Sequence, residues 1–387
     1  MLLFYHSAIL PKVLKTLIFL VLFGCTYHTT EIVEVDDGIS LRWIQNYPDE
    51  TSQDMLTGVY WALSFMGAEL PMDQEHEIIK WLSPTHFTLN YKNAGFRPEA
   101  IAVLENLNRI LQSSEEHRLM KGVDVGRFIM LTINSSNHYF KIVGLPPTLD
   151  NYLDNYEFSE SKALVIKSTI ALGNRIINTP SGFASDEISF FCEEGVENHL
   201  EGNFTSKEFE VLDFMPNGQI RFGLYDNDGR LKSAANESLT AAGKPGKCMW
   251  CHESSVLPVF QNNALVETDL SQVEFLGIVD RANDSISKLR MNTNRMINYE
   301  NTQDHTLMEL IYISFMEPSV QRLSNEWEIP ESEVIQRLTG KATHQHVEFT
   351  MLGEVYFRNE IDNLSPYESI QVPTSAREPS LYEPDLL

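Results

Sequence analysis

Basic residues are scarce. The 387-residue chain holds 29 Lys and Arg against 54 Asp and Glu, a formal net charge of −25. A chain this acidic is repelled by nucleic acid and by anionic lipid surfaces, and it suits docking to a basic partner protein. Acidic composition also promotes solubility. After residue 24 no apolar run approaches the roughly 20 residues that a membrane-spanning helix needs. The fingerprints G-x-S-x-G, G-x-x-x-x-G-K and G-x-G-x-x-G are missing, so serine-hydrolase, P-loop and dinucleotide chemistry find no support. Cysteine is scarce too, with four residues in all. Core-forming material is plentiful: 43% hydrophobic residues over this length are ample for two or three domains.

Two of the four cysteines fall in one short window, Lys247-Cys248-Met249-Trp250-Cys251-His252. Two thiols held a short turn apart can form thioethers to the two vinyl groups of one porphyrin, and His252 then lies under the ring with a nitrogen for the iron. A thiol–disulfide C-x-x-C normally opens a helix in a thioredoxin-like βαβ context, and none is apparent. A zinc knuckle needs about four ligands, and only His344 and His346 are candidates to complete one. The C-x-x-C-H run resembles the attachment motif of c-type cytochromes. That resemblance implies covalently attached haem c, with Cys248 and Cys251 as attachment points and His252 as the proximal iron ligand.

Haem attachment of this kind implies export, and the N-terminus fits it. Lys12 and Lys15 precede the apolar run from Leu17 to Phe23, a basic and then hydrophobic leader of secretory type. Leu22-Phe23-Gly24-Cys25 resembles the bacterial lipoprotein lipobox, which implies cleavage after residue 24 and lipid attachment at Cys25. The mature protein would then hang from a membrane of the cell envelope on the periplasmic side. Thr26, in place of Asp, leans towards the outer membrane. Loss of the leader with its two lysines takes the formal charge to about −27.

In chain order, residues 25–53 read as an acidic tether, with Glu31, Glu34, Asp36 and Asp37. Helical periodicity runs from Asp54 to Gly67, stopped by Pro71. A second amphipathic helix opens at Arg97-Pro98-Glu99 and carries Ile101, Leu104, Leu107, Ile110 and Leu111. The segment from Phe128 to Val143 is rich in β-formers and predicts a small sheet in a mainly helical region, 54–150. Region 151–262 is β-rich, with strands at Ala163–Ile170 and Ile188–Cys192. A hairpin follows around Pro216-Asn217-Gly218, since Asn-Gly between alternating apolar residues is a strong turn signal. Asp226-Asn227-Asp228-Gly229 reads as a second turn, because the later ligands of a calcium loop are missing. The Gly/Pro run Ala241–Gly246 then delivers the C-x-x-C-H motif as a flexible loop. Cys192, in a buried apolar strand, reads as an inert core thiol.

This context departs from class I cytochromes c, in which a helix leads directly into the motif. The resemblance therefore covers the motif and not the small helical fold. Strand-rich sequence running into C-x-x-C-H, with Val259-Phe260 shortly after, is similar over about residues 160–260 to the β-rich hydroxylamine-oxidising cytochromes. No cross-linking lysine can be placed.

Region 263–363 is helical and supplies candidate sixth ligands. A strong helix runs from Asp304 to Met316, stopped by Pro318. Met291, Met296, Met308 and Met316 all follow His252, and Met316, at a chain bend, is the first choice for the distal position, with His305 as the histidine alternative. Arg322–Pro330 followed by Val334–Leu338 scans like a helix-turn-helix, but in an exported acidic chain it reads as two packed helices. His344-Gln345-His346-Val347-Glu348 would share one face on a strand, as a solvated polar face or a metal site. Residues 364–387 form a proline-rich extended tail.

The expected architecture is α+β: helical N- and C-terminal regions flank a central antiparallel β meander that leads into the attachment loop. Three functions follow. The first is a membrane-anchored monohaem cytochrome that transfers electrons to a basic partner protein. The second is a high-spin haem enzyme or sensor acting on peroxide, nitric oxide or hydroxylamine. The third is a non-haem surface lipoprotein.

Overall fold

The computed structural model describes residues 38–166, 168, 170–195, 204–258, 260–262, 269–293 and 295–387. The leader, Cys25 and the part of the tether before residue 38 lie outside the described residues. The first elements are β1 (Ile39–Arg42), α1 (Ser52–Phe65), β2 (Ile79–Trp81), β3 (His86–Leu89), α2 (Pro98–Ser113), α3 (Glu115–Met120), β4 (Val123–Asp124), α4 (Val125–Thr132), α5 (Ser136–Val143) and α6 (Leu149–Leu153). Strand β1 falls within the stretch expected as tether. Ile39 and Leu41 are 1% and 0% exposed, which fixes β1 inside a four-stranded sheet of order β2-β3-β1-β4. The four acids that suggested a tether all precede residue 38.

Helix α1 starts where its sequence says it should. Thr51 and Asp54 form a capping box, each side chain taking the other's backbone N–H. Pro98 at the first turn opens α2, and Ala100, Leu104, Leu107 and Leu111 line its buried stripe. The segment from Phe128 to Val143 corrects the expectation of strands. It is the end of α4 and all of α5, broken near Asn134. Each helix is only eight residues long, too short for helical spacing to outweigh the β-forming residues in it.

The central sheet is a five-stranded antiparallel meander of β5 (Phe158–Val165), β6 (Asn174–Pro180), β7 (Ser189–Gly195), β8 (Ser206–Phe214) and β9 (Ile220–Asp226). The β8–β9 turn lies at Pro216-Asn217-Gly218 as expected. Asn217 is buried there and donates to Ser64 O at 2.8 Å and Ala68 O at 2.9 Å, tying the hairpin to the last turn of α1 and the chain just after it. Asp226 closes the second turn by accepting from Asp228 N and Arg230 N, both at 2.9 Å. One face of the sheet is pinned to α5 and α6. Tyr152 pairs with Ser189 at 2.9 Å, and Arg221 grips Asp213 with two bonds of 2.8 Å while donating to Val143 O.

The other face looks towards α7 (Pro245–His252) and α8 (Gln272–Met291). Beyond them follow α9 (His305–Met316), α10 (Val320–Trp327), α11 (Glu331–Arg337), the short pair β10 (His344–Gln345) and β11 (Glu354–Val355), and α12 (Arg358–Ile361). Helix α9 packs against α1 and α4, so the N- and C-terminal helical regions share one hydrophobic core with the sheet. Helices α10 and α11 close a smaller core around Leu323, Trp327 and Val334. Arg322 is buried there in ion pairs, so this pair of helices does not offer it to a nucleic acid. The tail from 364 carries no helix or strand after Leu364, and it packs back on the fold: Leu386 N donates to His138 Nε2 at 2.9 Å. No helix among the described residues is long and apolar enough to cross a membrane.

Candidate functional site

The C-x-x-C-H motif is the C-terminal half of α7, with Pro245 at its first turn. Residues three and four apart share a helix face, so Cys248, Cys251 and His252 come together. The preceding run, expected to be flexible, is pinned by the C-terminal tail. Lys244 N donates to Arg377 O at 2.9 Å. The fully buried Lys244 ammonium meets Ser375 O at 3.1 Å, Ser380 Oγ at 3.2 Å and the Glu383 carboxylate. The tail runs so close that a Cβ on Gly243 would sit 2.3 Å from Arg377 O, and one on Gly246 would sit 2.5 Å from Ala376 O. Gly243 also adopts φ +68°, a conformation that costs glycine little. On the other side, Arg290 of α8 holds Ser254 O, and Asn283 exchanges two bonds of 3.0 Å with Val256.

Two adjoining recesses lie between α7 and the sheet. Cys248, Cys251 and His252 line the smaller, a cavity of about 80 Å³. The larger, about 120 Å³, is walled by Phe190, Leu212, Phe222, Val256 and Phe275. They share Arg175, Glu210, Cys248, His252, Leu257 and Phe260. Apolar walls with a few polar groups are the lining of a ligand site, but a porphyrin needs more room than these cavities hold, so its entry would spread α7 from the sheet. The donor set fits a porphyrin: two thiols and an imidazole on one helix face, opening into an apolar slot.

Burial in the slot takes the His252 pKa down to about 4, so the ring is neutral near pH 7 and has a lone pair to give. Its Nδ1 lies 3.3 Å from Ser255 O and 3.4 Å from Leu257 N, so it finds a partner either as donor or as acceptor. In the tautomer that donates to the Ser255 carbonyl, Nε2 is the free ligand atom. The ring also lies against Phe222, with centroids 5.4 Å apart. Burial pushes both motif thiols up, helped at Cys248 by Glu210. A thiol-exchange catalyst needs the opposite shift, which argues against that use of the C-x-x-C. A zinc knuckle fares no better, because no trio of closely placed metal ligands includes Cys248, Cys251 or His252 among the described residues.

Opposite the motif helix, the pleat of the sheet presents charge. The register pairs Ile177 with Cys192 and Cys192 with Glu210; one rung further, Arg175 pairs with Glu194 and Glu194 with Glu208. These residues therefore share one face. Arg175 is ion-paired with Glu194 and stands 3.7 Å from Glu210. Burial first, and then the adjacent Glu210 carboxyl, raise the Glu194 pKa well above the usual carboxyl value. Cys192, read from the sequence as an inert core thiol, lines the recess, and burial pushes its pKa far up. Ligand atoms of Cys192, Glu194 and Glu210 lie within 4.8 Å of one another, a spacing that could gather a cation. Arg175 already occupies this spacing as the cation, ion-paired with Glu194 and 3.7 Å from Glu210. It also opposes a proton on Glu194, but burial and the Glu210 carboxyl outweigh it.

The sequence missed Arg175, Glu194 and Glu210 as site residues. The one signal was the placement of acids inside strands, at Glu194, Glu208 and Glu210. The expected distal ligands are elsewhere. Met316 lines a different recess, with Tyr312, Glu317, His346, Phe357 and Arg358. His305 is committed to Thr302 O at 2.5 Å and Glu309 at 3.4 Å, edge-on to Trp61. Met308 is buried in the core, and Met291 is 73% exposed. Among the described residues no methionine lines the recesses beside His252. His344 and His346 turn towards Glu317, at 2.7 and 4.0 Å. His346 Nδ1 accepts from Glu348 N and Phe349 N, so its proton is on Nε2 when neutral and that atom has no lone pair for a metal. Compared with family models, curated proteins and solved structures, the chain matches none.

Proposed function

We propose that this protein is an exported, lipid-anchored monohaem c-type redox protein. Cys248 and Cys251 carry the porphyrin as thioethers, His252 is the proximal ligand, and Cys25 carries the lipid. The observation that supports the reading best is the joint opening of two half-buried thiols and a neutral imidazole from one helix face into one recess. When bound, the haem would supply a one-electron Fe(III)/Fe(II) couple. The chain's own residues orient the His252 ring, through Phe222 and the Ser255 carbonyl.

With Met316 on another recess, the arrangement favours an open sixth position over methionine ligation. Arg175 and Glu210 on the recess wall then face small polar ligands, as in the enzyme or sensor reading for peroxide, nitric oxide or hydroxylamine. Electron transfer to a basic partner is the second reading, favoured by the net charge of −25.

Expression with a cytochrome c maturation system and a pyridine haemochrome assay tests the core of this. One covalent haem per chain is expected, falling to none in Cys248→Ser with Cys251→Ser. Colourless protein with both thiols open to alkylation would sink it. A high-spin ferric spectrum supports the open site; the weak sulfur-to-iron band of methionine-ligated ferric haem would reverse the order of the two readings.

A further inference from the structure

We propose that the buried carboxyl pair Glu194–Glu210, clamped by Arg175, is the proton site of this redox centre, its proton occupancy rising when the centre is reduced and falling when it is oxidised. The inference deepens the haem reading and rests on it.

Placement carries the argument. Glu210 lines both recesses, as Cys248 and His252 do, and Glu194 stands next to it on the same sheet face, behind the lining. The Glu194 side chain is 2% exposed and that of Glu210 is 21%, so one carboxyl is sealed in while the other reaches water. The second gives the first a route to solvent. Two carboxyls face one guanidinium, which leaves one negative charge without a cation. The other groups facing the pair do not supply it. They are Cys192 and Glu193 on β7, Glu208 on β8 and Cys248 on α7; Glu208 is itself held by Lys232. Burial and carboxyl–carboxyl repulsion raise the Glu194 pKa, in keeping with a stored proton.

The balance is simple. When a one-electron donor reduces bound haem, the pair would take up a fraction of a proton from solvent, at most about half for a tenfold coupling, and would release it on oxidation. A charge added about 10 Å away in a protein interior changes proton affinity on the order of tenfold. Reduction removes one positive charge, so the reduced form holds the proton more tightly. The midpoint potential therefore falls as pH rises through the interval in which the pair titrates. For a tenfold coupling the whole fall is about 59 mV.

The test is a potentiometric titration with mediator dyes at a series of pH values, on holoprotein whose haem content is fixed by haemochrome assay. Wild type is expected to show the fall, and redox-difference infrared spectra are expected to gain a protonated-carboxyl band on reduction. Glu194→Gln and Glu210→Gln, each checked for haem content, are expected to lose both signals. A potential flat with pH, or a fall that survives unchanged in both variants, overturns the proposal, the second outcome assigning the proton to another group such as a haem propionate. Absence of haem in the assay overturns the haem reading itself, and this proposal with it.

Discussion

Two clusters of buried charge use the same residue types to opposite ends. Around the Phe315 ring stand three guanidiniums, Arg358 at 3.9 Å, Arg127 at 5.0 Å and Arg322 at 5.5 Å from its centroid. Each meets a carboxylate: Arg127 meets Glu116 at 2.7 Å, Arg322 meets Asp124 at 2.9 Å, and Arg358 meets Glu326 through two bonds of 2.7 Å. Burial pushes the Glu326 pKa up, but Arg358 and Arg322 overcome it and hold the group at about 2. At the recess beside α7, one arginine faces two carboxyls, and the pKa of Glu194 goes up. Within the knot, two guanidiniums on one carboxylate hold Glu326 charged, whereas burial raises the Glu116 pKa despite the single Arg127 beside it. The number of cations on each carboxylate sets the direction. A cluster short of cations keeps a proton it can exchange.

Removing charge should separate the two most sharply. Glu326→Gln leaves Arg322 and Arg358 buried without their shared partner, at an expected cost of about 3–5 kcal/mol in urea unfolding. Glu194→Gln replaces a carboxyl that carries a proton with an amide of the same shape and still leaves one carboxylate facing Arg175. Its expected cost is about 1 kcal/mol or less. Equal costs for the two variants would break the comparison.

The pH dependence of stability should differ in sign. A carboxylate held at about 2 in the fold and near 4.5 in the unfolded chain stabilises the protein above pH 4.5, and that stabilisation is lost as pH falls from 4.5 towards 2. The raised Glu194 contributes the reverse: its stabilisation is present below pH 4.5 and lost as pH rises through its folded value. Urea midpoints measured across pH should flatten on the acid side in Glu326→Gln and on the alkaline side in Glu194→Gln. The second change is the smaller, because it is spread over a coupled pair.

How much of this was legible in the sequence follows from which interactions are local. The C-x-x-C-H run, the Asn217-Gly218 hairpin, the α1 and α2 stripes and the helix from Asp304 to Met316 are patterns within a few residues, and they sit where their spacing put them. Helices α4 and α5 defeated the pattern because each has only eight residues in which helical spacing can show. The charged cluster was hidden for a different reason. In β8, Glu208 and Glu210 share a face with Leu212, while Lys207 shares the other with Val211, so neither face reads as the polar one. Only the register Arg175–Glu194 and Cys192–Glu210, pairs 19 and 18 residues apart in the chain, reveals the cluster. The distal ligand fails on the same ground: that Met316 ends a helix is visible in the sequence, but which recess the helix end reaches is a tertiary fact.

Met316 gives the finest test of the boundary between the two regions. It lines a recess with Arg358, a member of the Phe315 knot, and it does not line the slot beside His252. A Met-to-Leu exchange nearly conserves volume and costs less than about 1.5 kcal/mol even in a packed core. Met316→Leu should therefore shift the urea midpoint slightly and leave the ferric and ferrous visible spectra and the midpoint potential as in wild type. A sulfur ligand lost from iron would instead change the spin state and lower the potential. Either change in Met316→Leu would mean that α9 reaches the redox centre, and that the knot and the slot are one site.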